Sequence, residues 1–358
     1  MARKRRNSNN IWTQIFNQNS LKVLLGVVAT GSFVIAFGQE KISQWTSLVP
    51  SSGNSACLTQ FYRETPPYLL KNSLQKDSYP LCFNDFNVMY SGVSKTPLWV
   101  AEALTPARLS QRIPREDNFH EEPRVKAEHR ATLLDYRGSG YDRGHMAPNA
   151  DMTNLAAQFD SFSLANMVPQ SPKYNQQVWR ELEEATRAVV TKQKQDVYVI
   201  TGPSFNAKRL KTIGQGVIVP TAVYKAVYMP KTGAIGAYYA PNNDSLQVQV
   251  VSVCYLEEQL GINLFPQLSE EQKRNTYKLP LTANAVKANT PIAYSHWDAE
   301  SQCAEDVSAE QLQALQTEFK RSGSSPASGA SIDADTQDAI VKQLIEALLQ
   351  YILQLLKS

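Results

Sequence analysis

The sequence is poor in the signatures of most metal- and cofactor-based chemistry. Its four cysteines, Cys57, Cys82, Cys254 and Cys303, are scattered, so no Cys-x-x-Cys pair is available to a structural zinc. It has no phosphate-cradling Gly-x-x-x-x-Gly-Lys loop and no Gly-x-Gly-x-x-Gly dinucleotide fingerprint. No Gly-x-Ser-x-Gly elbow presents a nucleophilic serine. Acidic residues are absent before Glu40, whereas Arg3, Lys4, Arg5, Arg6 and Lys22 precede it. The formal charge of +3 therefore belongs to the leader, and the chain beyond residue 38 carries −2. Any polyanionic ligand must be met by a local basic groove rather than a global field. With 42% hydrophobic and 19% charged residues among 358, the chain can bury an ordinary core, in one main domain with attached segments.

Residues 1–38 read as a targeting segment. Behind the basic run, residues 23–38 carry no charge. That stretch is shorter than the ~20 residues of a spanning helix and longer than the ~7–15 of a signal-peptide core. Ala36 and Gly38 suit a cut before Gln39, while an uncleaved anchor with its basic end in the cytoplasm fits equally. Either route makes the remaining chain secreted or periplasmic, or anchors it in the membrane through residues 23–38. Residues 39–55 are a polar linker. An even number of cysteines suits export, and their order suggests Cys57 with Cys82 and Cys254 with Cys303, four unpaired thiols being the alternative.

Residues 56–305 form the central domain. Residues 87–90, 97–101 and 197–200 read as strands, and 216–229, 234–240 and 246–253 alternate like further strands. One long helix is predicted over 174–192, so the layout is α+β. At about 100° per residue from Asn175, the apolar Val178, Leu182, Ala185 and Val189 fall between about 280° and 340°. Trp179 at about 40° and Glu183 at about 80° then border that stripe with Asn175. In the 306–331 segment, Ser308 and Gln311 form a capping box for a short helix through Lys320, followed by a Ser/Gly linker. Residues 332–358 repeat Ile, Val and Leu at helical spacing. That C-terminal amphipathic helix could build a homo-oligomer, lie on a membrane or dock on its own domain.

The chemistry concentrates in Tyr141-Asp142-Arg143-Gly144-His145-Met146-Ala147-Pro148-Asn149. As a strand, this run points Arg143 and His145 to one side, because side chains alternate. Gly144 between them removes a side chain that would crowd a ligand. An imidazole with an ordinary pKa of about 6.5 can take a proton, and a guanidinium can hold a phosphate. Phosphodiester hydrolysis needs both.

Three further blocks come after it in order: Phe162-Ser163-Leu164-Ala165-Asn166-Met167-Val168-Pro169-Gln170, Tyr174-Asn175-Gln176 and Trp179-Arg180-Glu181-Leu182-Glu183. Weaker similarity extends through residues 197–203, 219–221 and 224–225 to about 265. Together these blocks resemble the DNA/RNA non-specific endonuclease family of the ββα-metal fold. The resemblance implies a central antiparallel sheet flanked by helices. It also implies Mg²⁺-dependent cleavage of DNA and RNA to 5′-phosphate ends, with Mn²⁺ able to substitute.

By the same resemblance His145 is the general base and Asn175 the one direct protein ligand to the ion. Glu183 holds the ion's waters and helps to protonate the leaving group. Arg143 orients the phosphate, Asn166 supports the active-site network, and Arg115, chosen over Arg112, is a further phosphate contact. Taken singly, Asn175 would read as an N-cap and Glu183 as a solvated residue. Asp142 is expected to fix its loop through backbone hydrogen bonds. Lys208, Arg209 and Lys211 form a basic run that either tracks a nucleic-acid backbone or is simply solvated. His120, His129 and His296 show no partner pattern and read as structural or exposed. The rival reading is a nucleic-acid-binding module of the same fold that does not cut. Intact His145, Asn175 and Glu183 argue against it. A membrane-tethered nuclease acting in DNA uptake is the other alternative.

Overall fold

The structure, a computed structural model, describes residues 56–323. The chain divides into residues 1–49 and 50–358, and everything described lies in the second unit. The leader, the 39–55 linker and the helix expected at 332–358 fall outside the described residues.

The main sheet is built from β1 (Ser78–Cys82), β2 (Asn87–Ser91) and β3 (Thr96–Leu104). After β4 (Asp142–His145) and β5 (Met167–Gln170), which pair separately, come β6 (Val197–Ser204), β7 (Ala222–Met229), β8 (Ala234–Pro241) and β9 (Gln249–Val251). Seven strands lie in the order β9-β8-β7-β6-β3-β2-β1, each pair antiparallel. Alternation sends Val88, Val100, Val199 and Val223 to one face and Met89, Trp99, Ile200 and Tyr224 to the other. Both faces are covered, so the inner strands are largely apolar and buried; every position of β7 is buried, Lys225 included.

The front cover is the β4–β5 pair followed by a long helix, and Met146, Val168, Leu182 and Val189 pack there. The back cover is α3 (Val253–Leu260) and α4 (Ala309–Gly323), through Val253, Leu256, Leu315 and Phe319. The two helices that matter on the front are α1 (Leu133–Tyr136) and α2 (Arg180–Gln193).

The expected helix at 174–192 is present but not uniform. It opens on Pro172–Tyr174, with proline at the start where its missing N–H costs nothing. It then passes through a π-helical turn at Asn175–Trp179 into α2, which stops at Lys194 in the left-handed conformation. A π turn holds one residue more than an α turn, rotating every later residue by about 100°. The uniform wheel is therefore wrong across the turn. Trp179, placed beside the stripe, is buried in the core, and Val178, placed inside it, is only half-buried.

Two strand assignments are also corrected. The run 216–229 breaks at Val219-Pro220-Thr221, because proline has no N–H for the ladder. Of 246–253 only β9 is strand: Leu246 takes φ 58°, and Ser252 caps α3, its Oγ accepting from the Tyr255 N–H at 2.9 Å.

Both expected disulfides are formed, Cys57–Cys82 and Cys254–Cys303. The Ser308–Gln311 capping box is present too, at 3.1 and 3.3 Å, and its helix continues past Lys320 to Gly323. There α4 meets the first disulfide: a Cβ at Gly323 would lie 2.2 Å from Cys57 Sγ, and the Cys82 N–H donates to Ser322 Oγ at 3.1 Å.

Candidate active site

The β4–β5 ladder pairs Arg143 with Pro169, Gly144 with Val168 and His145 with Met167. Arg143 and His145 reach the same side, as alternation requires, and meet on one ring. The Arg143 guanidinium lies 3.8 Å from the Phe119 centroid, and the His145 ring tilts against Phe119 at 5.8 Å. His145 also meets Phe162 edge-on at 5.2 Å, and the Arg115 guanidinium lies 5.3 Å over that same ring. Two phenylalanines, Phe119 and Phe162, thus gather two cations and an imidazole from two segments. Gly144 has a different purpose from the one expected. A Cβ there would sit 1.8 Å from Gln170 Oε1, so the glycine makes room for a cross-strand side chain rather than for a ligand.

His145 Nε2 is buried with no hydrogen-bond partner among the described residues, while the His145 carbonyl accepts from Trp179 Nε1 at 3.3 Å. Burial pushes the imidazole down to about 3, and the Arg115 and Arg143 charges push the same way against Asp117. It is neutral at pH 7, the form a base requires.

Asn166 is fully buried and its amide is spent on backbone. Oδ1 accepts from the Ala147 N–H, and Nδ2 donates to the Ala147 and Ser161 carbonyls, all at 2.9 Å. Asn166, expected to support the active-site network, clamps the chain just after His145. Asp142 also differs from expectation. Its Oδ2 accepts side-chain amides, Asn175 Nδ2 and Gln176 Nε2, each at 2.9 Å, instead of backbone N–H groups. With the nitrogen end of Asn175 engaged, its oxygen end is left available to a cation.

Glu183 is half-buried, two turns beyond Asn175. Burial pushes its carboxyl up to about 7, against the pull of Arg187 and Lys225 and with the push of Asp151 and Glu184. Beneath it lies a buried charge cluster. Arg187 pairs with Asp151 at 2.9 Å, and Lys225 Nζ donates to Thr201 Oγ1 at 2.9 Å while lying 5.3 Å over the Trp179 ring. Glu102 on β3 faces Arg108 at 3.6 Å, and neither of its carboxylate oxygens has a hydrogen-bond partner among the described residues. The sequence reading missed this cluster. Arg187 could have been found four residues after Glu183, on the same helical face. Glu102 and Lys225 could be suspected only as charges inside apolar strands.

A cavity of about 540 Å³ opens beside β4, bordered by Arg115, Asp117, Phe119, Asp142, Arg143 and Asn175. Arg115 lines this cavity and Arg112 does not, though both side chains are exposed. Lys208, Arg209 and Lys211 are exposed on the loop after β6 and do not line the cavity.

Residues 66–271 match the profile of the family described as DNA/RNA non-specific endonuclease. Mitochondrial endonuclease G of Homo sapiens is 38% identical over 182 residues, 47% of this chain and 59% of that protein. A nuclease of Nostoc sp. is 31% identical over 264 residues, 68% of this chain and 93% of that protein. Nuclease C1 of Cunninghamella echinulata is 36% identical over 208 residues, 53% and 78% respectively. The chain spans about three fifths of the length of endonuclease G. A solved structure of an EndoG/EndoGI complex aligns with a TM-score of 0.49 at 25% identity, over 55% of this chain and 89% of that one. The profile match and the near-complete coverage of the Nostoc nuclease place this chain in the DNA/RNA non-specific endonuclease family.

Proposed function

We propose that this protein is an exported, Mg²⁺-dependent endonuclease that hydrolyses the phosphodiester bonds of DNA and RNA without discriminating the sugar. The observation that carries the reading is the neutral His145 set between the Arg115 and Arg143 guanidiniums on a Phe119/Phe162 platform.

Asn175 fits a hard cation, because Asp142 holds its amide nitrogen and leaves the neutral oxygen of this cavity-lining residue for an ion. Mg²⁺, or Mn²⁺ on the same donor, would supply positive charge to the scissile phosphate and the departing oxygen. Arg143 and Arg115 would orient the phosphate and neutralise its charge. Anion binding between those cations offsets part of the field that holds down the His145 proton affinity. The base is thereby strengthened when water must lose its proton. The water oxygen bonds to phosphorus, His145 takes the proton, and the P–O3′ bond breaks to leave a 5′-phosphate and a 3′-hydroxyl. Glu183, whose carboxyl burial raises to about 7, would return a proton to the 3′ oxygen. Contacts aimed at phosphate carry no base information, which accounts for the absence of sequence choice. An exported location, secreted, periplasmic or anchored, accords with two disulfides in a small domain.

The test incubates the purified protein with supercoiled plasmid and with RNA, with Mg²⁺ or with EDTA, beside His145→Ala. Metal-dependent loss of both substrates, absent in the variant, is the expected result. A folded wild type that binds nucleic acid and cuts neither would leave a binding module in place of an enzyme.

A further inference from the structure

We propose that the cavity beside the catalytic strand is a subsite for the phosphate of the nucleotide adjacent to the scissile one, with Arg137 as its cation. The inference rests on the nuclease reading above. Its starting point is that the cavity is larger than one phosphate requires and falls within the range of small-molecule pockets. Beyond the residues already assigned, its wall takes Tyr136, Arg137 and Tyr141 from a single segment.

The charge on that wall is uneven. Asp117 is taken by Arg115 at 2.6 Å, and Asp142 accepts the Asn175 and Gln176 amides. Among the described residues neither Arg137 nor Arg143 makes an ion pair. Two guanidiniums on that wall are therefore without an acidic partner, Arg143 at the proposed reaction centre and Arg137 six residues earlier. A nucleic-acid strand presents its phosphates one per nucleotide, so a phosphate held at Arg143 brings neighbours alongside.

Tyr136 supplies an independent sign of a ligand. It is 6% exposed, and its hydroxyl is buried without a hydrogen-bond partner among the described residues. A buried donor left unmatched is costly unless another group takes it. The backbone is shaped to hold these residues on the wall. Gly138 and Gly140, at φ 66° and 80°, turn the chain between Arg137 and Tyr141, and nothing lies within 4 Å of where their Cβ atoms would be. They serve conformation, not clearance. Ser139 Oγ donates to the Tyr136 carbonyl at 2.9 Å and closes the loop. Tyr141 adds a half-buried ring, a surface any sugar or base can use.

The test compares the thymidine dinucleotide, which has one cleavable phosphodiester, with the same dinucleotide carrying a terminal phosphate at its 5′ or 3′ end. In the wild type a terminal phosphate on one of the two ends is expected to raise kcat/KM about tenfold, a single charge-assisted contact. Arg137→Ala is expected to shrink that preference below about twofold, and Arg137→Lys to retain part of it. Indifference of the wild type to both terminal phosphates, or a preference that survives in Arg137→Ala, overturns the subsite. If polynucleotide is cut but dinucleotides are too short to turn over, oligonucleotide binding to His145→Ala decides. Adding Arg137→Ala in that background lowers the slope of log K against log salt by about 0.7, and an unchanged slope overturns the proposal. Failure of the wild type to cut polynucleotide at all would sink the nuclease reading, and is read separately.

Discussion

Asn175 Nδ2 donates to Asp142 Oδ2 at 2.9 Å, joining the first helical turn to β4 across 33 residues. That bond decides which end of the amide faces outward. Replacing Asp142 with alanine frees the amide to flip. The Mg²⁺ concentration for half-maximal activity is expected to rise at least about tenfold, while activity at saturating Mg²⁺ is largely retained. A Mg²⁺ titration of the variant that overlays the wild type would remove Asp142 from this role.

The acid limb of kcat/KM is expected below about pH 5, well under the ordinary histidine range, because burial and two guanidiniums hold His145 down to about 3. Arg115→Gln takes away one of those cations, so its limb moves to higher pH. Measured profiles decide: a wild-type limb near about 6.5, or a variant limb that does not move upward, contradicts the electrostatics described.

Glu102 makes stability depend on pH in a stated direction. Burial first, then Asp151, push its carboxyl from 4.5 up to about 8. A carboxyl held more tightly protonated in the fold than in the unfolded chain contributes stability that is lost as pH rises between those two values. Glu102→Gln is therefore expected to melt above the wild type near pH 8.5, the difference closing towards pH 5. Calorimetry showing the same difference at both ends of that range would refute the linkage.

Gly144→Ala places a methyl group into the Gln170 side chain, and the expected loss is about 1–3 kcal/mol with activity falling alongside. Adding Gln170→Ala should restore most of it. No loss in the single variant, or no recovery in the double, would return Gly144 to its expected role of clearing space for a ligand.

Much of this was legible in the chain. Arg143 and His145 share a side because strands alternate, and the Asp-Arg-Gly-His block with its three downstream partners pointed to the same groove. The Ser308–Gln311 box and both cysteine pairings were readable because each is specified by residue type and order. What escaped has a common cause. The π turn at Asn175–Trp179 is not encoded in apolar spacing, so a uniform wheel set Trp179 beside the core instead of inside it. Glu102 and Lys225 sit on strands separated by more than a hundred residues, and only β3–β6–β7 packing brings their charges under Glu183. The partner of Gly144 is a side chain on another strand, which no local rule identifies.

The meeting of α4 with the Cys57–Cys82 bridge has a mechanical consequence. The described residues begin and end at one spot, against the face that carries Trp99 and Phe319, while Met146 and Val168, beside β4 and on β5, pack on the reverse. The domain is thus almost a ring with a stapled seam. A pull applied at residues 56 and 323 would load that seam before it reached β4 on the opposite face.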